Sequence, residues 1–221
     1  GNIYLPKQVP VTELPEERMQ FTLGMYGEGD FFTMKGVIEE FLYKAGMKLK
    51  PEYDPEAGKP FLHPGRQANV VYDGTVIGYL GKVVGYMGEV HPTVAANYAI
   101  KERVYVAVLD MPEIVSHASF DHKYEGIAKF PAAARDISMV VPKEVLAGDI
   151  EKIFDEKGGQ FLEKYDLFDI YEGAQIKPGY KSIAYSLSFR AKDRNLEDAD
   201  ITGAMDRIVN ALERVGAELR K

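Results

Sequence analysis

Apolar residues recur at helical spacing through Met34, Val37, Ile38, Phe41 and Leu42, and this period predicts a helix. Asp30 stands before it as an N-cap and Gly46 after it as a stop. Past the loop PEYDPEAGKP the period shortens to two. ANVVY and TVIGYL flank Asp73-Gly74, a dipeptide that favours a tight hairpin turn, and VYVAVLDM adds a strand from Val104. The first half therefore reads as a helix on a mostly antiparallel sheet. Residues 1–20, broken by Pro6, Pro10 and Pro15, read as an extended lead-in rather than an element. From Pro112 to Lys129 the chain is polar and weakly periodic, which places a domain boundary there.

The second half is more regular. RDISMVV alternates as a strand, Ile150, Ile153 and Phe154 mark one face of a helix stopped by Gly158-Gly159, and FLEKYDLFDIY and SIAYSLSFR are two further strands. Ile201, Met205, Ile208, Leu212 and Val215 form the stripe of a second helix, and AELRK closes as a short strand. The fold class is α+β: a sheet-and-helix domain over 21–127, then a ferredoxin-like βαββαβ domain over 128–221 with both helices on one face of four strands.

Strand parity assigns that sheet's faces, because neighbouring side chains point to opposite sides. In SIAYSLSFR, Ile183, Tyr185, Leu187 and Phe189 meet the helices, leaving Ser182, Ala184, Ser186, Ser188 and Arg190 outward. Ile137, Met139 and Val141 go in while Asp136 and Ser138 go out; Phe168 and Ile170 go in while Asp169 and Tyr171 go out. The outer face is then small hydroxyls with one aromatic and a cationic rim of Arg190, Lys192 and Arg194. It fits a solvated sheet face, and equally an RNA platform on which bases stack and cations hold phosphates.

Bulk composition narrows the functions. With 46% hydrophobic and 28% charged residues the chain is of globular type, and it has no apolar run near the ~20 residues of a membrane span. Its first residues show neither the basic nor the apolar region of a signal peptide. The absence of cysteine removes thiol chemistry and fits a reducing, cytoplasmic location. A net charge of -7 argues against a diffuse basic field, so any RNA contact is a local patch.

No catalytic constellation emerges. His63 and His91 each precede proline and lack metal-ligand spacing; His117, Asp121 and His122 make only a weak metal candidate, so no metal and no catalytic residue is assigned. Neither G-x-x-x-x-G-K-[ST] nor G-x-S-x-G occurs. The doubled phrase VIGYLGK-VVGYMGE over 76–89 lacks the ending and the following helix of a phosphate cradle. Seven is an odd repeat, so one straight strand would send Tyr79 and Tyr86 to opposite faces. A turn or bulge near Lys82-Val83 is expected to reset the phase.

Several stretches, in order, resemble the C-terminal part of the bacterial phenylalanyl-tRNA synthetase β subunit: GDFFTMKGVIEEFL, LHPGRQA, GYMGEVHP with VYVAVLDM, KFPAAARDISMVV, and LFDIYEG through KSIAYSLSFR to RNLEDADI. They cover nearly everything from Phe21 onward. The resemblance implies an inactive class II synthetase-like domain to about Pro112 and a ferredoxin-like anticodon-binding domain from about Ala128. In such an enzyme a catalytic α subunit uses ATP and Mg²⁺ to join phenylalanine to tRNA(Phe), and two α and two β subunits assemble. This chain would itself hold no complete active site and no cofactor, and the editing site would lie upstream. The sequence departs from the family at RNLEDAD, where Glu197 replaces the usual capping threonine, and in carrying a second copy before GYMGEVHP.

On that reading Tyr171 is the expected stacking residue, with Arg135, Arg190 and Arg194 as phosphate contacts. Ion pairing is the plain alternative for Arg135 with a neighbouring strand and for Arg194 with Asp198. Two other functions stay open: an amino-acid-sensing module at the VPKEVLAGD turn, and a pure assembly scaffold.

Overall fold

The computed structural model describes residues 1–72, 82–121, 124 and 126–220. The chain divides into two compact units, Gly1–Lys123 and Tyr124–Lys221.

In the first unit the strands are β1 (Asn2–Leu5), β2 (Glu16–Tyr26), β3 (Glu52–Asp54), β4 (Leu62–Tyr72), β5 (Lys82–Val90) and β6 (Val104–Asp110). They form one antiparallel sheet in the order β1-β2-β6-β5-β4-β3. The helices are α1 (Phe31–Lys44), α2 (Pro92–Asn97) and α3 (Met111–His117). Asp30 caps α1: its carboxylate accepts from the Thr33 N–H at 2.8 Å, and Thr33 Oγ1 accepts from the Asp30 N–H at 3.3 Å. Met34, Ile38 and Leu42 are buried against Ala68, Val70, Met87, Ala107 and Leu109. Val37, on the predicted apolar stripe, is exposed.

Three expectations change here. Residues 1–20 are not a structureless lead-in, because Asn2 to Leu5 pairs antiparallel with Met19 to Glu16. Pro6, Pro10 and Pro15 all fall in the connection between those strands, where no ladder donor is lost. ANVVY does pair antiparallel with a following strand, but its partner is the second copy of the doubled phrase, with Tyr72 opposite Lys82 and Val71 opposite Val83. The Asp73-Gly74 turn and the first copy as far as Gly81 lie outside the described residues, but Lys82-Val83 does not, and a register shift falls beside it, where a bulge was expected. Finally, α3 was missed although Asp110-Met-Pro-Glu113 spells a helix start: the Asp110 carboxylate accepts from the Glu113 N–H at 3.3 Å.

Within β5, Val70 faces Gly85 and Val71 faces Val83, so Val84 is an extra, bulged residue, and it is fully buried. Gly85 and Gly88 are close-approach sites. A β-carbon at Gly85 would lie 2.5 Å from the Val108 carbonyl oxygen, and one at Gly88 2.7 Å from that of Arg66. These glycines admit the neighbouring backbones and leave no room for a ligand phosphate.

The second unit is β7 (Ala133–Pro142), α4 (Ala147–Lys157), β8 (Leu162–Tyr171), β9 (Tyr180–Phe189), α5 (Asp198–Arg214) and β10 (Glu218–Leu219). This is the predicted βαββαβ, in the sheet order β10-β7-β9-β8, antiparallel throughout. The core joins Ile137, Met139 and Val141 to Ile183, Tyr185, Leu187 and Phe189, under Ile150 and Phe154 of α4 and Ile201, Ile208 and Leu212 of α5. Phe154 lies at the centre, its ring 5.0 Å from Tyr185 and 5.4 Å from Tyr165.

Candidate RNA interface

The register supplies the face that the helices leave open. On β9, Ser182, Ala184, Ser186 and Ser188 stand opposite Val140, Ser138, Asp136 and Ala134 of β7, and opposite Tyr171, Asp169, Asp166 and Lys164 of β8. Parity therefore holds for β9 and β7. On β8 it holds for Asp169 and Tyr171 but fails for Phe168. Leu167 faces Tyr185 and Asp169 faces Ala184, so Phe168 is the extra residue of a bulge and is 59% exposed. Ile170 stands opposite core Ile183, yet this end of the edge strand is uncovered and it is half exposed.

Tyr171 lies on the open face opposite Ser182, and its ring rests against Gly173, where a β-carbon would collide with the phenol. Beside it runs Arg220, whose Nη1 donates to Ser182 Oγ at 3.3 Å while its N–H bonds the Ser138 carbonyl. This cation was not anticipated, because it directly follows the last strand, whose two residues carry no readable period.

Arg135 is not on that face. It stands opposite Leu187 and shares the parity of Ile137, which is the helix side, and its Nη2 donates to Asp198 at the start of α5 at 2.6 Å. The expected pairing with a neighbouring strand is thus replaced by one with a helix. Arg190 and Arg194 border a groove of about 530 Å³ at the β8 start, together with Gln160, Phe161, Glu163 and Lys192. Arg190 Nε donates to Glu163 at 2.9 Å and Nη1 to the Phe130 carbonyl at 3.0 Å. Arg194 pairs with Asp200, not Asp198, through Nη1 at 2.5 Å and Nη2 at 2.7 Å, with its guanidinium over the Phe161 ring. That pair also organises the helix start. Asp200 accepts from the Glu197 N–H at 2.9 Å, so α5 begins after Glu197, which keeps the capping position although it replaces the usual threonine. Among the described residues, Lys192 in the same groove is exposed and has no ion-pair partner.

Comparison with known proteins gives the family. Residues 128–220 match the ferredoxin-fold anticodon binding domain, and residues 1–111 match the phenylalanyl tRNA synthetase beta chain CLM domain. The chain belongs to the phenylalanyl-tRNA synthetase beta chain family. It is 39% identical over 221 residues to the phenylalanine–tRNA ligase beta subunit of Clostridium acetobutylicum and 41% identical to that of Clostridium tetani, covering all of this chain and 27% of each relative. The subunit from Symbiobacterium thermophilum is 36% identical over 233 residues, with 25% of its length covered. The chain thus spans about a quarter of the length of these relatives and is a portion of such a beta subunit.

Within this beta-subunit portion the described residues contain no group of three or more side chains placed to hold a metal ion. His117 Nδ1 lies 2.8 Å from the Glu113 carbonyl oxygen, and His122 is outside the described residues. No described helix is long and apolar enough to cross a membrane.

The Arg194–Asp200 pair has a pH signature. The Arg194 guanidinium and the Glu197 N–H lower the Asp200 carboxyl from 3.8 to about 2. A depressed folded-state pKa stabilises the fold above the unfolded value, and that contribution is lost as pH falls from about 4 towards 2. Asp200→Asn is expected to flatten the decline of the thermal midpoint of the Tyr124–Lys221 unit across that window. An unchanged acid limb would remove Asp200 from it.

Proposed function

We propose that the Tyr124–Lys221 unit binds tRNA(Phe) near its anticodon stem, and that the Gly1–Lys123 unit serves assembly with a catalytic alpha subunit. The whole enzyme, an (αβ)₂ heterotetramer located in the cytoplasm, would join phenylalanine to tRNA(Phe) using ATP and Mg²⁺. The observation that carries the RNA reading is the anticodon-binding family match on a sheet whose helix-free face is built of small side chains around Tyr171.

The residues of the first unit do not fit an ATP–Mg²⁺ site. Its strand arginines are committed to carboxylates of the same unit, Arg18 to Asp110 and Glu113, and Arg66 to Glu89. No chemical step is assigned to this chain. Its part is to orient RNA: Tyr171 offers a ring to a base, Ser186 and Ser188 let the backbone approach, and Arg190 and Arg194 border the groove at the sheet's end. The open face carries Asp136, Asp166, Asp169 and Glu218 against Lys164 and Arg220, so affinity there must come from stacking more than from a basic field.

Tyr171→Ala is expected to weaken tRNA(Phe) binding by roughly 5- to 150-fold, the cost of one base–aromatic stack, without changing the salt slope. Filter binding or anisotropy at several salt concentrations measures both affinity and slope. Unchanged affinity in Tyr171→Ala would remove the open face as the contact surface.

A further inference from the structure

We propose that the groove at the start of β8 seats one unstacked RNA nucleobase on the outer face of the Arg194 guanidinium, with Lys192 holding the adjoining phosphate. This rests on the reading of the second unit as an RNA-binding domain and adds a subsite beside the open face.

The division of labour follows from what each cation has left to give. Arg194 spends both Nη groups on the Asp200 carboxylate at 2.5 and 2.7 Å, so its forked edge is closed to a phosphate. The guanidinium carbon lies over the Phe161 ring, 5.6 Å from its centroid. Nearly half of the Arg194 side chain is nonetheless exposed. A planar cation with a closed edge and an aromatic neighbour has its plane left to offer, and nucleobases stack on guanidinium planes. The surroundings hold that plane in place: Asp200 is fixed at the first turn of α5, and Phe161 adjoins the β8 start and packs on the core. A platform fixed before binding loses little side-chain entropy when a base arrives.

Lys192 completes the seat. Arg190, like Arg194, is committed, to Glu163 and to the Phe130 carbonyl. Lys192, between them in sequence and lining the same groove, is the cation there whose charge is unspent among the described residues. Glu163 and Asp193 also line the groove, so its field is too weak to hold a polyanion by charge alone, and the stack is needed. A volume of about 530 Å³ accommodates one nucleotide and excludes a duplex.

The test uses the 221-residue chain and the anticodon stem-loop of tRNA(Phe), intact and with single abasic substitutions through the loop. One abasic position, different from that sensed by Tyr171→Ala, should lose roughly 5- to 150-fold in affinity with the unchanged protein. That penalty should vanish in Arg194→Lys, which keeps the charge but not the plane, while the salt slope is kept. Lys192→Ala should lower the slope by about 0.7, one phosphate of a single strand. Phe161→Leu removes the ring behind the plane without touching a charge and should also abolish the abasic penalty, which guards against a folding defect peculiar to Arg194→Lys.

An abasic pattern identical in the unchanged protein, Arg194→Lys and Phe161→Leu overturns the base seat and leaves RNA binding by the open face standing. Failure of the unchanged chain to bind the stem-loop at all would overturn both readings. AMP and GMP should compete only weakly, and full displacement of the stem-loop by either would replace the RNA subsite with a free-nucleotide site.

Discussion

Phe154→Ala is expected to destabilise the Tyr124–Lys221 unit by about 3–5 kcal/mol, the usual cost of emptying a buried aromatic site. Phe154 is fully buried under the sheet, in ring contact with Tyr165 and Tyr185. These neighbours cannot simply close the gap, because their hydroxyls are held by carboxylates: Tyr165 donates to Asp155 at 3.1 Å and Tyr185 to Glu151 at 3.4 Å. Burial and these carboxylates also raise both phenol pKa values well above 10, so neither ionises near neutrality. With a domain of about this size losing roughly 4–8 °C per kcal/mol, the variant should be largely unfolded at temperatures its parent tolerates. The matched control is Phe168→Ala, expected to stay within about 0.5 kcal/mol because the side chain is exposed on the edge strand. Denaturant titration of both variants, followed by far-UV circular dichroism, tests the pair. Equal losses would mean that Phe168 is a core residue after all and that the β8 bulge is not there in solution.

That pair also locates the limit of what the sequence discloses. Ile183 to Phe189 and Ile137 to Val141 were legible because each strand keeps strict parity and the set facing the helices is large and aliphatic or aromatic. Phe168 was not, because a bulge shifts parity by one residue without a distinctive composition; the sequence LEKYDLFDIY alternates equally well in either phase. The same parity that buries Ile137 also sends Arg135 to the helix side, so this correction could have been read from the sequence. The exchange of Asp200 for Asp198 as the partner of Arg194 could not, since it depends on where α5 starts, and helix ends are set by cap geometry. β1 escaped notice because the prolines around it suggested a loop, although they lie in the connection. The overall architecture survived these local errors because patterning over whole elements fixes layers, while single residues at strand ends, bulges and caps decide which side chains reach a site.

Arg66→Leu should be the most damaging single change in the Gly1–Lys123 unit outside its apolar core, at about 2–3 kcal/mol: less than the full cost of orphaning a buried charge, because Arg66 itself is partly exposed. Its importance comes from LHPGRQA. Leu62 pairs with Val90 and Gln67 with Gly88, so five residue steps on β4 match two on β5, and the excess chain carries Arg66 over the β5 end. There its Nη1 lies 3.1 and 3.0 Å from the two oxygens of Glu89, which is only 4% exposed and also accepts from the Tyr105 hydroxyl at 3.2 Å. Among the described residues, loss of Arg66 leaves one neutral donor to a buried carboxylate. Tyr105→Phe should cost about 1 kcal/mol, since the stronger partner remains. The double variant Arg66→Leu/Glu89→Leu should recover much of the Arg66→Leu loss, because removing both partners abolishes the unmet desolvation penalty along with the pair. Urea unfolding of the parent, Arg66→Leu, Glu89→Leu and their double variant gives the coupling directly. Additive losses in the double variant would show that Arg66 acts through packing of its stem, and the LHPGRQA excursion would then need another reason to exist.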